Sequence, residues 1–558
     1  MAFSYKELAD LIFPDVTETI EDLEKRYPPR NLTRENYVTR FAPSPTGFLH
    51  TGSLFTALVA KTFAKQTGGV YYFRLEDTDQ KREIKGTGDQ LCHELARFGV
   101  IQDEGYMGDS YPEKGEYGPY VQSKRADIYK VCIKHLVSIG RAYPCFCSKE
   151  ELDDLRKVQE INKVIPGYYG EYAKCRNIKP TEAKKLIQQG KPYVIRFRSE
   201  GDHKNFIKVH DMVRGDLNLS QNDQDIVILK SDGLPTYHFA HLVDDHFMRS
   251  NLITRGEEWL SSLPIHLELF QSMGWEAPNY AHLPVIMVND AETGNKRKLS
   301  KRKDKEASVA YFIQEGYPVM GLIKYLLTIA NSNFEEWLLQ NPTASVDNFK
   351  LSFEKMSLDG ALFDLPKLND ISKNVIAYMT KEELFDVSYN WAKEFSPETL
   401  AFIEKNKDRY MKIINIERGL EKPRKDYIKY SDIFPKVKFF DEDIYNEMVK
   451  GELPYNANIS KDVRDNVINA FLENMDYSVD ESTWFNQIMK GIAEKLNFAP
   501  IPKLYKQNPD QYIGHVGDVA AIIRTSLTCS VNSPNLYQVI QILGKDEVTR
   551  RLQICLNK

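Results

Sequence analysis

The sequence predicts an α/β domain built on a parallel sheet, interrupted by an α/β insertion and followed by an all-helical carboxyl-terminal half. Three observations predict it. Residues 37–41 and 70–73 are short runs of β-formers separated by one helix-length segment, and the unit strand, loop, helix, strand favours parallel pairing with working loops at the strand C-termini. Further strand-like runs follow at 226–229, where the sheet is expected to resume, at 251–254 and at 283–288. From Lys305 onward, residues 310–329, 371–395, 462–472, 481–496, 516–527 and 535–543 carry helical apolar periodicity with Pro and Asn punctuation and few alternating runs.

Within the first unit, Pro43 and Pro45 stop the opening strand and stiffen the loop behind it. Leu54, Phe55, Leu58, Val59, Thr62 and Phe63 then form one apolar stripe on a helix of about four turns. Gly68 and Gly69 end that helix, and the second strand empties into Arg74, Glu76, Asp77 and Asp79. The chemical interest lies at the helix start, Thr46-Gly47-Phe48-Leu49-His50-Thr51-Gly52-Ser53. A helix N-terminus offers unpaired N–H groups and partial positive charge, a site for phosphate. His50 adds a donor, and Gly52, lacking Cβ, lets a base or phosphate approach the backbone. Alone, the H-x-G element also describes a capped helix with an incidental histidine.

The flanking residues decide between these. APSPTGFLHTG after a strand carrying Arg40, with RLEDTD closing the next strand, resembles the first signature of class I aminoacyl-tRNA synthetases, and within them the glutamyl/glutaminyl branch. Ser53 stands where the broad class often has histidine. The second signature of that class is a downstream lysine loop, and Lys298-Leu299-Ser300-Lys301-Arg302 supplies it. Seven cations and one acid lie between Lys296 and Lys305, a density that elsewhere marks a solvated surface run. Behind the run 283–288 and a turn at 292–294, it resembles the mobile loop that clamps triphosphate in this family.

The resemblance implies a Rossmann-like catalytic domain in two halves (37–121 and 226–305), a tRNA acceptor-binding insertion (122–225), a helical stem-contact region (306–370) and a helical anticodon-binding region (371–558), behind an extension (1–36) without assigned chemistry. It implies His50, Gly52, Lys298 and Lys301 as catalytic, and Ala42, Ser53, Glu258, Trp259 and Ser300 with them as the ATP site, magnesium bridging the phosphates. For glutamate it implies Arg40, Ser44, Tyr237, His241 and Arg255 on the carboxylates and Glu76 on the amine, leaving open which arginine takes the side-chain carboxylate. The implied partners are tRNA(Glu) and L-glutamate, with a cytoplasmic monomer and no membrane. Relatives generally need tRNA before they activate glutamate.

Charge supports the same substrate. Free glutamate carries two carboxylates and an ammonium, so its pocket wants two fork-shaped cations and one acid. Arg40, Arg255 and Glu76 stand at three strand ends. A neutral side-chain amide would leave a desolvated guanidinium unmatched, a mismatch that discriminates by about 10⁴ or more. The glutaminyl branch ends in β-barrels, which the helical carboxyl half does not match. A nucleotidyltransferase without tRNA would need neither the insertion nor the helical half.

Two clusters invite metal readings. His238, His241, His246, Asp244 and Asp245 are close in sequence, but the three histidines do not share a helix face. The same stretch, PTYHFAHLVDDH, resembles the family's amino-acid pocket helix, with His241 where relatives often have asparagine. Cys145, Cys147 and Cys175 have a spacing at which some relatives hold zinc, yet a closed site takes four ligands and the sequence offers only Tyr172 or Asn177 nearby. Zinc and free thiols both stay open there. At 558 residues the chain is several domains long, and a net charge of −5 assigns any RNA contact to local basic surface. Arg418, Lys422, Arg424, Lys425 and Arg524 are candidates for that surface. Seven cysteines in scattered apolar contexts fit a reducing compartment, no apolar run is long enough to span a bilayer, and Lys6, Glu7 and Asp10 do not resemble a secretion signal.

Overall fold

A computed structural model describes residues 3–79, 81–290, 292–300 and 302–558, so Lys301 lies outside the described residues. The chain divides into two compact units, Met1–Tyr311 with Ile323–Asp364, and Phe312–Leu322 with Leu365–Lys558.

In the first unit, β1 (Val38–Phe41), β2 (Val70–Phe73) and β3 (Glu104–Gly105) pair in parallel in that order. Between β1 and β2 runs the helix Thr51–Gln66, whose Leu54, Phe55, Val59 and Phe63 are buried, so the predicted stripe is the face laid on the sheet. The insertion supplies β4 (Ala142–Cys145), β5 (Val194–Phe197) and the antiparallel hairpin of β6 (Phe206–Asp211) and β7 (Gly215–Ser220). β8 (Val227–Leu229) pairs antiparallel with β5. That corrects the expectation that the parallel sheet resumes at 226–229: Phe197 donates its N–H to the Ile226 carbonyl, 2.9 Å, and holds the run in the insertion's own sheet. A short apolar run names no partner, which is why the sequence could not show this.

The parallel arrangement resumes one strand later. β9 (Leu252–Gly256) and β10 (Asn279–Leu283) pair in parallel, and β10 takes β6 on its other side. Asn251 joins this sheet to β1: its N–H donates to the Val38 carbonyl, 3.2 Å, while its Oδ1 accepts the Val38 N–H, 2.7 Å. β1 and β9 thereby end side by side and present Arg40 and Arg255 from neighbouring strands. The run 283–288 splits at Pro284, which has no N–H for a ladder. β11 (Ile286–Asn289) turns instead to pair antiparallel with β12 (Lys296–Lys298) and parallel with β13 (Ala361–Leu362).

The second unit is helical. Its long periodic runs are broken where the chain offers caps: 371–395 divides at Thr380, whose hydroxyl accepts the Glu383 N–H (3.1 Å) while the Glu383 carboxylate accepts the Thr380 N–H (2.8 Å). Phe440, Tyr445, Phe471, Met489, Val519, Ile523, Val539 and Leu552 form its buried core. Arg551 is wholly buried there, donating to the Phe439 and Leu527 carbonyls at 2.8 Å beneath the Tyr445 ring. Arg418, a candidate for RNA contact, donates instead to the carbonyls of Ile376 (2.6 Å), Met379 (2.8 Å) and Ile414 (2.9 Å), pinning helix ends that would otherwise leave acceptors bare. No helix among the described residues is long and apolar enough to cross a membrane.

Candidate active site

The strand ends and the helix start surround one cavity of about 1160 Å³ in the first unit. Of the residues expected there, Arg40, Ala42, Ser44, His50, Gly52, Ser53, Glu76, Tyr237, Arg255, Glu258, Trp259 and Lys298 line it. His241 is fully buried and Ser300 half-buried, and neither is among the lining residues.

His50 is the N-cap of the helix Thr51–Gln66, and its Nδ1 accepts the Gly52 N–H at 2.9 Å. An imidazole that accepts at Nδ1 carries its proton on Nε2, so the cap fixes His50 as a donor. A Cβ on Gly52 would lie 3.2 Å from that same Nδ1, so the glycine makes room for the cap as well as for a ligand. Thr51 and Leu49 tie the turn to the segment after the cationic loop: the Thr51 hydroxyl donates to the Glu306 carbonyl, 2.7 Å, and the Val309 N–H to the Leu49 carbonyl, 3.3 Å.

Beneath the cavity lies a buried network of charge. Arg40, 5% exposed, meets Asp245 through Nε (3.2 Å) and Nη2 (3.4 Å). Arg74, fully buried, donates to Asp245 (2.7 Å) and twice to Glu76 Oε1 (2.8 and 3.3 Å). Burial pushes the Asp245 carboxyl up, but Arg40 and Arg74 outweigh it and hold it well below the usual carboxylate range. Glu76 is the reverse case: burial raises it, and Arg74 and Arg40 only partly offset that. Asp244 accepts from Arg125 (2.5 Å), Gln122 (2.9 Å) and Tyr129 (2.8 Å), which anchors the helix Tyr237–Phe247 from its other face. From the sequence, Arg74 and Asp245 are both named, but neither has a part in the glutamate pocket. The signal was present in the alternation of a strand and its extension, which puts Tyr72, Arg74 and Glu76 on one side.

Arg255 differs from Arg40. Its guanidinium donates to His282 Nε2 (2.9 Å) and the Trp259 carbonyl (3.3 Å), lies 3.0 Å from His266 Nδ1, and sits over the Tyr280 ring. Among the described residues no carboxylate lies on it. Asp211 acts one step away, 2.6 Å from His282 Nδ1, so that ring donates to Asp211 and accepts from Arg255. Burial pulls the Arg255 pKa below its ordinary value. His241 is pushed down to about 3, chiefly by burial, so it is neutral near pH 7. Its Nδ1 is 3.0 Å from Asp245 and 3.3 Å from Arg40, and its buried Nε2 has no hydrogen-bond partner among the described residues. The other histidines of this stretch point elsewhere, His238 to His266 (3.0 Å) and His246 to Glu24 (2.7 Å), which excludes the shared metal reading.

The cationic loop is shaped by an arginine that the sequence did not single out. Arg297 holds Asp290 (2.7 Å) and both oxygens of Asp304 (2.6 and 2.8 Å), and Asp304 also accepts the Ser300 N–H, 2.8 Å. Lys298 reaches the cavity and pairs with Glu258 at 2.6 Å. Both partners are about half exposed, so this is a pair that a phosphate can displace at small cost.

Away from this cavity, the sulfurs of Cys145, Cys147 and Cys175 lie within 4.8 Å of one another. The group the fold adds is Tyr168, not Tyr172: its hydroxyl is 3.4 Å from Cys145 Sγ, 3.3 Å from Cys147 Sγ, and accepts the Cys175 N–H at 2.9 Å. The three thiols offer three of the four ligands that a closed zinc site takes, at which zinc would supply structural cross-linking, and a phenolic oxygen stands beside them where such sites have a fourth Cys or a His. All seven cysteines are free thiols in the structure.

The family profile for the catalytic domain of class I tRNA synthetases (E and Q) matches residues 36–368, and the chain belongs to that family. An anticodon-binding-domain profile matches residues 510–556 in the helical unit. The chain is 45% identical over 549 residues to a glutamate–tRNA ligase of Clostridium perfringens, covering 98% of this chain and all of that one. It is 46% identical over 550 residues to a glutamate–tRNA ligase of Acetivibrio thermocellus, with 98% and 99% covered. A crystal structure of a glutamate tRNA ligase from Elizabethkingia meningosepticum in complex with its amino acid superposes with a TM-score of 0.71 at 26% identity, covering 94% of this chain and all of that one.

Proposed function

We propose that this chain is a glutamate–tRNA ligase, which activates L-glutamate with ATP to glutamyl-adenylate and transfers it to the 3′-terminal adenosine of tRNA(Glu), releasing AMP and pyrophosphate. The carrying observation is Arg255, a buried guanidinium without an acid partner among the described residues, in one cavity with Arg40 and Glu76. A buried cation of that kind calls for an anion from the substrate.

Position favours one choice between the two arginines. Arg255 lies beside Trp259 and Glu258, on the side expected to hold the nucleotide, so it takes the α-carboxylate that must attack phosphorus. Arg40, braced by Asp245, takes the side-chain carboxylate with Tyr237 and Ser44, and His241 acts on that end through Arg40. Glu76 uses Oε1 on Arg74, and Oε2 is left to meet the ammonium. The nucleotide lies over Ala42, Gly52, Ser53 and Trp259, its phosphates against His50 Nε2–H and Lys298, and the resemblance of the lysine loop adds Ser300 and Lys301 to them as an expectation. The α-carboxylate attacks the α-phosphate in line, and these donors stabilise the charge that grows on pyrophosphate. Magnesium, when bound to the phosphates, neutralises part of the same charge. No side-chain nucleophile is required, because positioning and electrostatics supply most of the barrier reduction. The terminal 2′-hydroxyl of tRNA then attacks the adenylate.

The test is an aminoacylation panel of glutamate and glutamine against purified tRNA(Glu) and tRNA(Gln). Glutamate on tRNA(Glu) is the expected product, with glutamine charged about 10⁴-fold less efficiently or worse. Comparable charging with glutamine would overturn the assignment.

A further inference from the structure

The matched catalytic profile begins at residue 36, so the amino-terminal extension stands outside it. The structure shows which elements the extension contacts. Two capped helices, Tyr5–Ile12 and Ile20–Arg26, precede an extended strap, and Lys134 secures the first of them through Asp10 (2.8 Å) and the carbonyls of Phe13 (3.3 Å) and Val16 (2.8 Å). Polar contacts from the second helix and from the strap meet at the C-terminal end of the helix Tyr237–Phe247, while others hold the strap to Gly118 and Tyr117. Glu24 accepts from His246 Nε2 (2.7 Å) and from Arg249 (2.5 Å), and Arg249 also donates to the Tyr27 carbonyl (2.9 Å). Arg30 donates from Nε to the Met248 carbonyl (3.2 Å), satisfying an acceptor at the helix end, while its fork grips both oxygens of Glu104 (2.9 Å each) at β3. Tyr27 is buried against Phe247 and against Arg125, the cation that holds Asp244.

We propose that Glu24, Tyr27 and Arg30 are positioning residues for the glutamate subsite, clamping the end of the helix that carries Tyr237, His241 and Asp245. The inference rests on the reading of Arg40 and Tyr237 as glutamate-binding. A helix advances 1.5 Å per residue as a stiff rod, so a displacement of its last turn reaches Asp245 directly and Tyr237 within three turns. Asp245 in turn sets both Arg40 and, through Arg74, Glu76. Among the described residues, the hydrogen bonds of the His50 turn and Lys298 run to Gly52, Glu306 and Glu258 and not to the strap or this helix end, so the clamp acts on one substrate and not on the other.

Full-length Arg30→Ala, Arg30→Lys and Glu24→Gln test it in steady-state aminoacylation, with unfolding midpoints measured alongside. Arg30→Ala raises the KM for glutamate on the order of tenfold with the KM for ATP unchanged, and Arg30→Lys recovers part of the loss. Glu24→Gln changes a rim carboxylate and retains the fold, so it carries the test should Arg30→Ala fail to fold; a rise of a few-fold in the glutamate KM is expected. Unchanged glutamate KM in all folded variants, or equal rises for glutamate and ATP, overturns the clamp while leaving the activity assignment standing. A wild-type protein that does not charge glutamate overturns both.

Discussion

At the scale of single residues, the pocket is a problem in keeping charge and neutrality apart underground. Arg40, Arg74 and Arg125 are balanced by Asp245, Glu76 and Asp244, whereas Arg255 is surrounded by imidazoles that must stay neutral to accept from it or lie beside it. Burial lowers the pKa of His238, His241, His246, His266 and His282 alike, to about 3 for His241 and about 4 for His246. In the unfolded chain each of these rings titrates near the ordinary value of about 6.5. Below that pH the unfolded state binds more protons than the folded one, so folding stability falls as the solution is acidified from about pH 6.5. Urea midpoints measured at pH 7.5 and pH 5 should show that loss, and His246→Gln, which removes one such ring, should show a smaller one. Equal midpoints at the two pH values would mean that the rings are protonated in the fold.

At the scale of elements, the helix start at His50 and the lysine cluster behind the turn at 292–294 were legible because each is written in consecutive residues, whereas the strand expected at 283–288 splits at Pro284. The H-x-G turn and the lysine cluster declare themselves by chemistry at fixed spacing. What the sequence could not show is pairing between distant segments: β8 with β5, β6 with β10, or Arg297 with Asp290 and Asp304. The N-cap makes a specific expectation. In Gly52→Ala the new Cβ would stand 3.2 Å from His50 Nδ1, so the imidazole must tilt and its Nε2–H shifts from the position proposed for the phosphates. A misplacement of about 1 Å at a reacting group costs on the order of 10²-fold, and this shift is a few tenths of an ångström, so kcat for glutamate activation should fall several-fold while the glutamate KM changes little. A variant with wild-type kcat would show that His50 is only a cap.

At the scale of the whole molecule, the order of parts was readable, parallel-sheet unit first and helical unit after, because strand-length and helix-length periodicities differ along the chain. Arg40, Ala42, Ser44, His50, Gly52 and Ser53 of the first signature and Lys298 of the second line a single cavity, while the groups that hold them in place were hidden: Asp245 in a run that also looks like metal ligands, Arg74 in a strand end, His282 in a strand 27 residues beyond Arg255. Supporting residues are selected by three-dimensional neighbours, and a single sequence does not display those. The second unit was the least legible, since Arg418 and Arg551 look like surface cations in the sequence and serve as internal pins in the fold. The account turns on Arg255 as the group that receives the attacking carboxylate, and the direct measurement is the rate of glutamate activation by Arg255→Gln in the presence of tRNA(Glu). A loss of about 10²- to 10³-fold, with tRNA binding and the unfolding midpoint near wild type, is predicted from the removal of one partner of a buried charge pair. A rate within about threefold of wild type, well short of that loss, would contradict the account.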